Sequence, residues 1–346
     1  MTELSCLLLD WYNQHKRNLP WRTTHDPYRV WVSEIMLQQT RVDTVIPYYL
    51  RFMEAFPNIK VLSEAKEERY LKLWEGLGYY SRVRNLVKGA KLIQEQFKGV
   101  MPEDKESLLK IPGIGDYTSA AILSFAYGEP VVTIDGNLIR VYARLTASKI
   151  IPNETQSKKD AEAFLMKHIP NDRSGDFNQA LMDLGELVCL PNGAPRCNEC
   201  PLKDQCKAHL EKKETSYPLP KKKIEKKIEE RSIFMLICDK KIALFKRPSG
   251  GLLGGMYEFL NIENKEGISP EKLLQNLNIS CKNPIFLGEK KHVFTHLVWK
   301  MKGYICYVDS FPMGSVIADK EALLYHYTIP TAYSYFLEAI LKRAIL

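Results

Sequence analysis

Apolar residues recur at helical spacing through roughly the first two thirds of the chain and at strand spacing through the last third. Asp26-Pro27, a capping side chain followed by proline at the first helical position, opens a helical run that the pattern carries to about Val42. Residues 63–75, 80–97, 107–110, 117–127, 137–146 and 157–169 keep the same period. The texture then changes. Residues 233–238 and 242–246 flank the polar turn Asp239-Lys240-Lys241, and 292–299 and 303–308 are rich in β-branched and aromatic residues, so all four segments are expected to be strands. Residues 330–343 return to helix. The expected fold is multi-domain, an all-α domain followed by a smaller α+β domain.

Length agrees, since 346 residues is room for about two domains. The sharpest composition shift is SYPLPKKKIEKKIEE, whose prolines and charge run cannot be buried. It divides the chain into a helical domain over 1–215, a linker over 216–230 and a second domain over 231–346. A hydrophobic content of 45% with only 19 glycines and 19 prolines excludes disordered and collagen-like chains. No apolar run approaches the roughly eighteen residues of a membrane span, so neither secretion nor membrane insertion is expected. The net charge of +8 suggests a polyanionic partner. That charge is uneven: 29 basic against 28 acidic residues in 1–215, five against three in the linker, and 15 against 10 beyond it.

Three features carry chemistry. In LLKIPGIGDYTSAAI, Gly113 and Gly115 let two short helices turn tightly and present successive backbone N–H groups at the start of the second, an arrangement that binds phosphate. Cys189, Cys197, Cys200 and Cys206 form C-x7-C-x2-C-x5-C, four thiols able to hold zinc or an iron–sulfur cluster, and they point to a reducing compartment. Glu34 sits among Val32, Ile35, Met36 and Leu37. It lies either on an exposed stripe or in a pocket whose desolvation raises its pKa into a general acid's range.

The hairpin, with Asp135 twenty positions beyond Gly115, resembles the helix-hairpin-helix of base-excision DNA glycosylases. The cysteine spacing resembles the 4Fe-4S loop of the endonuclease III and adenine glycosylase families, with seven residues in the first gap where those have six. SEIMLQQT, Gly76-Leu77-Gly78-Tyr79-Tyr80-Ser81-Arg82 and the hairpin together closely resemble the MutY family of adenine DNA glycosylases, over nearly the whole chain. The resemblance implies excision of adenine mispaired with 8-oxoguanine or guanine in double-stranded DNA. It makes Glu34 the acid that protonates the flipped adenine at N7. It makes Asp135 the carboxylate that stabilises the oxocarbenium-like sugar, through a covalent intermediate as in retaining glycosidases. Tyr117 and Asn137 match supporting active-site residues, and Gln38 and Tyr79 match residues that wedge into the duplex. Tyr117 stands where the bifunctional relatives have a lysine. It cannot form a Schiff base, which implies a monofunctional enzyme. The four cysteines would hold a 4Fe-4S cluster that positions Arg196, Lys203 and Lys207 on DNA.

Residues 231–346 resemble the Nudix-like recognition domain of the same family, without the R-E-x-x-E-E glutamates that hold Mg²⁺ in a hydrolase. Phe294-Thr295-His296 matches the family's Phe-Ser-His segment that senses 8-oxoguanine, with threonine replacing serine. Gly250–Gly255 reads as a tight turn, because no Gly-Lys-Ser/Thr follows it. The expected protein is a monomer in the bacterial cytoplasm, associated with the nucleoid. Two other readings are an endonuclease III-like lyase, against which Tyr117 and the second domain speak, and a non-catalytic iron–sulfur DNA-binding protein, which would need neither Glu34 nor Asp135.

Overall fold

The computed structural model describes residues 1–220, 225–265, 267–281, 283–343 and 345. They form two compact units, one from the described residues of 1–65 and 81–222, the other from those of 66–80 and 223–346.

The first unit is helical. Side-chain caps start several of its helices: Thr2 and Ser5 form a capping box before Glu3–His15, Asp26 accepts from Tyr28 N–H before Pro27–Leu37, and Asp135 accepts from Leu138 N–H before Gly136–Thr146. Leu8, Leu138, Phe177, Leu181 and Leu184 come from three helices to fill one core, each worth about 1.5–3 kcal/mol of apolar burial. The run expected to continue to Val42 ends at Leu37, with Gln39 in the left-handed region at φ 59°, and a new helix spans Val42–Ala55. No glycine or proline marks this break. The buried guanidinium of Arg82 marks it instead, donating to the carbonyls of Ile35, Met36 and Gln38 at 2.9, 2.9 and 2.6 Å and so satisfying the helix's terminal acceptors.

In the second unit a mixed sheet is built from β1 (Lys227–Cys238), β2 (Lys241–Lys246), β3 (Tyr257–Glu258), β4 (Leu260–Glu263), β5 (Ile285–Val293), β6 (Leu297–Tyr307) and β7 (Val316–Ala318). Its path is β3-β2-β1-β6-β5, with β4 on β1 and β7 on β2. The long central pair β1 and β6 is parallel, in register from Lys227 opposite Leu297 to Ile237 opposite Tyr307. Alternation along β1 sends Ile233, Met235 and Ile237 to a core shared with Phe336 and Ile340 of helix Ser334–Lys342, and Phe234 and Leu236 to a core with Leu273 and Leu274 of helix Pro270–Gln275.

Three expectations change here. The charged end of the expected linker is already strand from Lys227, because Glu229 is buried against Trp299 Nε1, Lys227 and Arg231; linker residues 221–224 lie outside the described residues. Residues 66–80, expected in the helical domain, group with the sheet. Lys72 Nζ donates to the Tyr327 carbonyl at 3.1 Å, and Ile329 N–H donates to Glu75 Oε1 at 2.7 Å. The strand expected over 292–299 is two strands joined by a turn, Phe294 N–H donating to the Leu297 carbonyl at 2.8 Å. Gly250–Gly255 forms the expected tight turn, with Gly251 and Gly255 at positive φ and a Cβ on Gly254 falling 2.6 Å from the Ser249 carbonyl oxygen.

Candidate active site

The first unit encloses a cavity of about 1150 Å³ whose walls include Glu34, Tyr117, Asp135, Asn137, Arg22 and Gln38. Four segments distant in sequence bring these groups together. Glu34 lies inside helix Pro27–Leu37 and only 5% of it is exposed, so it belongs to the pocket and not to a solvated stripe. Tyr117 stands in the first turn of Asp116–Ala126, the helix that follows the hairpin, and its hydroxyl donates to Glu34 Oε2 at 2.7 Å. Burial pushes the Glu34 carboxyl up to about 7 and the nearby Asp135 adds to this, while the Tyr117 hydrogen bond and the Arg22 cation oppose it. Burial and the neighbouring carboxylates hold the Tyr117 phenol well above its usual range, so it remains a donor.

Asp135 has a different environment. It caps helix Gly136–Thr146, Oδ1 accepting from Leu138 N–H at 2.7 Å and Oδ2 from Asn137 Nδ2 at 3.0 Å. Burial raises its pKa, but those donors and Arg140 work against the rise. The positive end of the helix also favours its charge. Glu34 is thus poised to carry a proton near neutral pH, while both oxygens of Asp135 accept hydrogen bonds that favour its charged form against its burial, two different environments of the kind that acid catalysis with charge stabilisation uses.

In the hairpin, Gly113 needs its glycine: φ is 87° and a Cβ would sit 3.0 Å from that of Asn85. Gly115 has ordinary extended backbone and open space, so it leaves the following amides uncovered without being conformationally required. Asn137 is held by Arg140, whose Nη2 reaches Asn137 Oδ1 at 2.7 Å and the Gly185 carbonyl at 2.8 Å while its Nε reaches the Cys189 carbonyl at 2.8 Å.

The four cysteines also gather. Cys189, Cys200 and Cys206 pack against the helical core, and Arg144 donates to Cys189 Sγ at 3.2 Å and to the Leu190 carbonyl at 3.0 Å. Desolvation pushes Cys197 up to about 11, with Glu214, Cys206 and Cys189 adding to it, and Cys200 up to about 12, with the other three thiols adding to it. Four mutually opposed, half-buried thiols suit a centre that replaces their protons. The long first gap is taken up by an exposed bend at Pro191–Gly193, with Gly193 at φ 74° and open space around it. Beside Cys197, His209 Nδ1 and Glu214 Oε1 pair at 2.6 Å, and donor atoms of all three lie within 4.8 Å of one another.

In the second unit, Thr295 and His296 are exposed at the tip between β5 and β6, and Phe294 packs edge-on to Trp299 with ring centroids 5.0 Å apart. The Tyr79 and Thr295 hydroxyls lie 3.3 Å apart, with Tyr79 at φ 46°. The structure therefore brings Glu34, Tyr117, Asp135, Asn137 and Gln38 together in one group and Tyr79 and Thr295 in another. Sequence reasoning missed Arg17, Arg22, Arg140 and Glu186, which stand around the first group. Cations and acids placed singly, Arg17 and Arg22 in a polar stretch and Arg140 and Glu186 among apolar neighbours, give no periodic signal of a site.

Residues 32–170 match the model of the HhH-GPD superfamily base excision DNA repair proteins, and residues 232–339 match that of the NUDIX domain. The chain is 39% identical over 298 residues to the adenine DNA glycosylase of Buchnera aphidicola subsp. Baizongia pistaciae, covering 84% of this chain and 82% of the relative. It is 34% identical over 351 residues to the human adenine DNA glycosylase, covering 84% of this chain and 64% of that one. Among solved structures, a thermostable thymine-DNA glycosylase superposes with a TM-score of 0.55 at 26% identity, over 60% of this chain and 95% of that one. An endonuclease III in a non-covalent DNA complex superposes at 0.52 and 21% identity, over 61% and 98%, a likeness of fold. No helix among the described residues is long and apolar enough to cross a membrane.

Proposed function

From the chain's membership of the adenine DNA glycosylase family, shown by those relatives, we propose that it excises adenine opposite 8-oxoguanine or guanine, with Glu34 as general acid and Asp135 as the charge-stabilising carboxylate. The observation that carries this reading is the Tyr117–Glu34 hydrogen bond inside a cavity that also holds Asp135. A flipped adenine leaves more easily once its ring is protonated, and Glu34, poised near 7, is a donor matched to that task. As the bond to the base breaks, positive charge grows on the sugar. Asp135, whose charged form accepts hydrogen bonds from Leu138 N–H and the Asn137 amide, stabilises it. Tyr117 is no amine and offers no route to a Schiff base, so an abasic site is the expected product.

Cys189, Cys197, Cys200 and Cys206 would hold a 4Fe-4S cluster. The cluster would crosslink the loop and supply a one-electron centre. Arg140 and Arg144, on the helix that Asp135 caps, fix the backbone at Cys189 and Leu190. The Thr295 turn with Tyr79 is the part of the second unit read as facing the lesion.

The test is base release from duplexes holding adenine opposite 8-oxoguanine, guanine, cytosine or thymine. Release expected opposite the first two, without strand cleavage until base or heat is added, supports the proposal. Equal release opposite all four, or a product trapped by borohydride, contradicts it.

A further inference from the structure

Asp183, on helix Ser174–Leu187, has no exposed surface and is not part of the cavity wall, yet it collects two cations that are. Arg22 holds it two-pronged, Nη1 to Oδ2 at 2.6 Å and Nη2 to Oδ1 at 3.0 Å. Arg17 donates Nε to Oδ1 at 2.7 Å and its backbone N–H to Oδ2 at 3.3 Å. One guanidinium would neutralise one buried carboxylate. The second leaves the group with a surplus positive charge, and what surface the two arginines keep, 22% for Arg17 and 11% for Arg22, lies on residues of the cavity wall. The same cavity is lined by Glu34 and Asp135, the two buried acids of the site, along with Asp172, Asp176 and Glu186.

We propose that Asp183 is a positioning residue, fastening Arg17 and Arg22 as a fixed cationic wall opposite the acid pair, so that base release depends on a carboxylate that never touches the substrate. Further contacts define the wall. Arg22 lies over the Tyr12 ring, 5.9 Å from its centroid, and the Tyr12 hydroxyl donates to Gln179 Oε1 at 2.7 Å; both residues also line the cavity. Arg22 is moreover close enough to Glu34 for each to bias the other's charge. Fixed dipoles and charges stabilise a developing charge because they need no reorganisation when it forms. Freed from Asp183, two long side chains would have to be ordered by the substrate itself.

This inference rests on the base-excision reading, and the experiment separates the two. Single-turnover adenine release is measured for the full-length parent, Asp183→Asn, Asp183→Glu, Arg22→Gln and the Arg22→Gln/Asp183→Asn double variant, alongside melting temperature. Affinity is measured for a duplex carrying 2′-fluoro-deoxyadenosine opposite 8-oxoguanine. Asp183→Asn is expected to slow release about 10- to 100-fold, the scale of an ångström-sized misplacement, with affinity changed less than about threefold. Asp183→Glu should recover part of that rate. The double variant should lose less than the product of the two single losses, since coupled residues are non-additive. Multiplied losses in the double variant, or an Asp183→Asn rate equal to the parent's, overturn the proposal. If Asp183→Asn melts below the assay temperature, Arg22→Gln, which leaves Asp183 bound to Arg17, must show the rate loss, and a parental rate there also overturns it. A parent that releases no adenine sinks the base-excision reading instead.

Discussion

Replacing Glu34 by glutamine should make the protein more stable while removing its activity, and the stability gain should grow with pH. Glu34 is buried, and its carboxyl is pushed from 4.5 to about 7, chiefly by desolvation. Below pH 4.5 the folded and unfolded chains both carry the proton, and the residue adds no pH dependence. Between 4.5 and about 7 the unfolded chain releases the proton while the folded chain keeps it, so stability is lost as pH rises through that window. Above about 7 the full cost is present, about 3 kcal/mol at roughly 1.4 kcal/mol per pH unit. Glutamine is neutral, nearly the same shape, and still accepts the Tyr117 hydroxyl. The melting temperatures of parent and Glu34→Gln should therefore coincide near pH 4.5 and separate by roughly 6–12 °C near pH 8, at 2–4 °C per kcal/mol for a unit of this size. Adenine release should fall about 10²- to 10⁴-fold, the usual contribution of a general acid. The assay is a pair of thermal melts followed by circular dichroism at half-unit steps of pH. Coincident melts at every pH, or a gap widest at low pH, would refute the burial of an ionising carboxyl on which the mechanism rests.

Tyr117→Phe removes the hydrogen bond that favours ionised Glu34, so the alkaline limb of the single-turnover pH profile should move above 7; a downward move contradicts the geometry. Gly185→Ala would put a Cβ 2.7 Å from that of Asn137, whose amide orients Asp135, and should slow adenine release at least about tenfold. Its overpacking should cost about 1–3 kcal/mol in the same protein's melts, and an unchanged rate would show that Asn137 is not needed in place. Cys200→Ser should lose iron and visible absorption together and lower the melting temperature, read by metal analysis of the purified protein; full iron content would exclude Cys200 as a ligand. Thr295→Val keeps the shape and deletes the hydroxyl. It should narrow the preference for 8-oxoguanine over guanine about two- to tenfold, the worth of one hydrogen bond, and competition between the two duplexes measures it.

The sequence was most legible where one residue type carries the physics. The helical and strand periods, the Asp26-Pro27 start, the Gly113 turn and the clustered cysteines all appear in the structure. Helix boundaries set by distant partners were not legible: the break after Leu37 depends on Arg82, more than forty positions away. Helices Glu3–His15, Val42–Ala55 and Ser174–Leu187 also escaped the sequence reading, though they carry the core residues Leu8, Tyr49 and Leu181. Glu34 could be read either way until its burial was known. Around it, Arg17, Arg22 and Asp183 were invisible for the same reason that makes them informative. Arg17 and Arg22 are ordinary cations in a polar stretch and Asp183 a lone acid among apolar neighbours, and only the fold brings the three within hydrogen-bond distance.

The Asp135 carboxyl holds the first turn of helix Gly136–Thr146 as well as facing the cavity. An alanine there would report two events at once, the loss of a reactive charge and the fraying of a helix that carries Asn137, Arg140 and Arg144. Asparagine separates them, because it caps helices about as well as aspartate while bearing no charge. Two substitutions at this one position thus form an internal control. The asparagine variant isolates what the charge contributes to the reaction, and the difference between it and alanine, about 1 kcal/mol for a typical cap, isolates what the same side chain contributes to order.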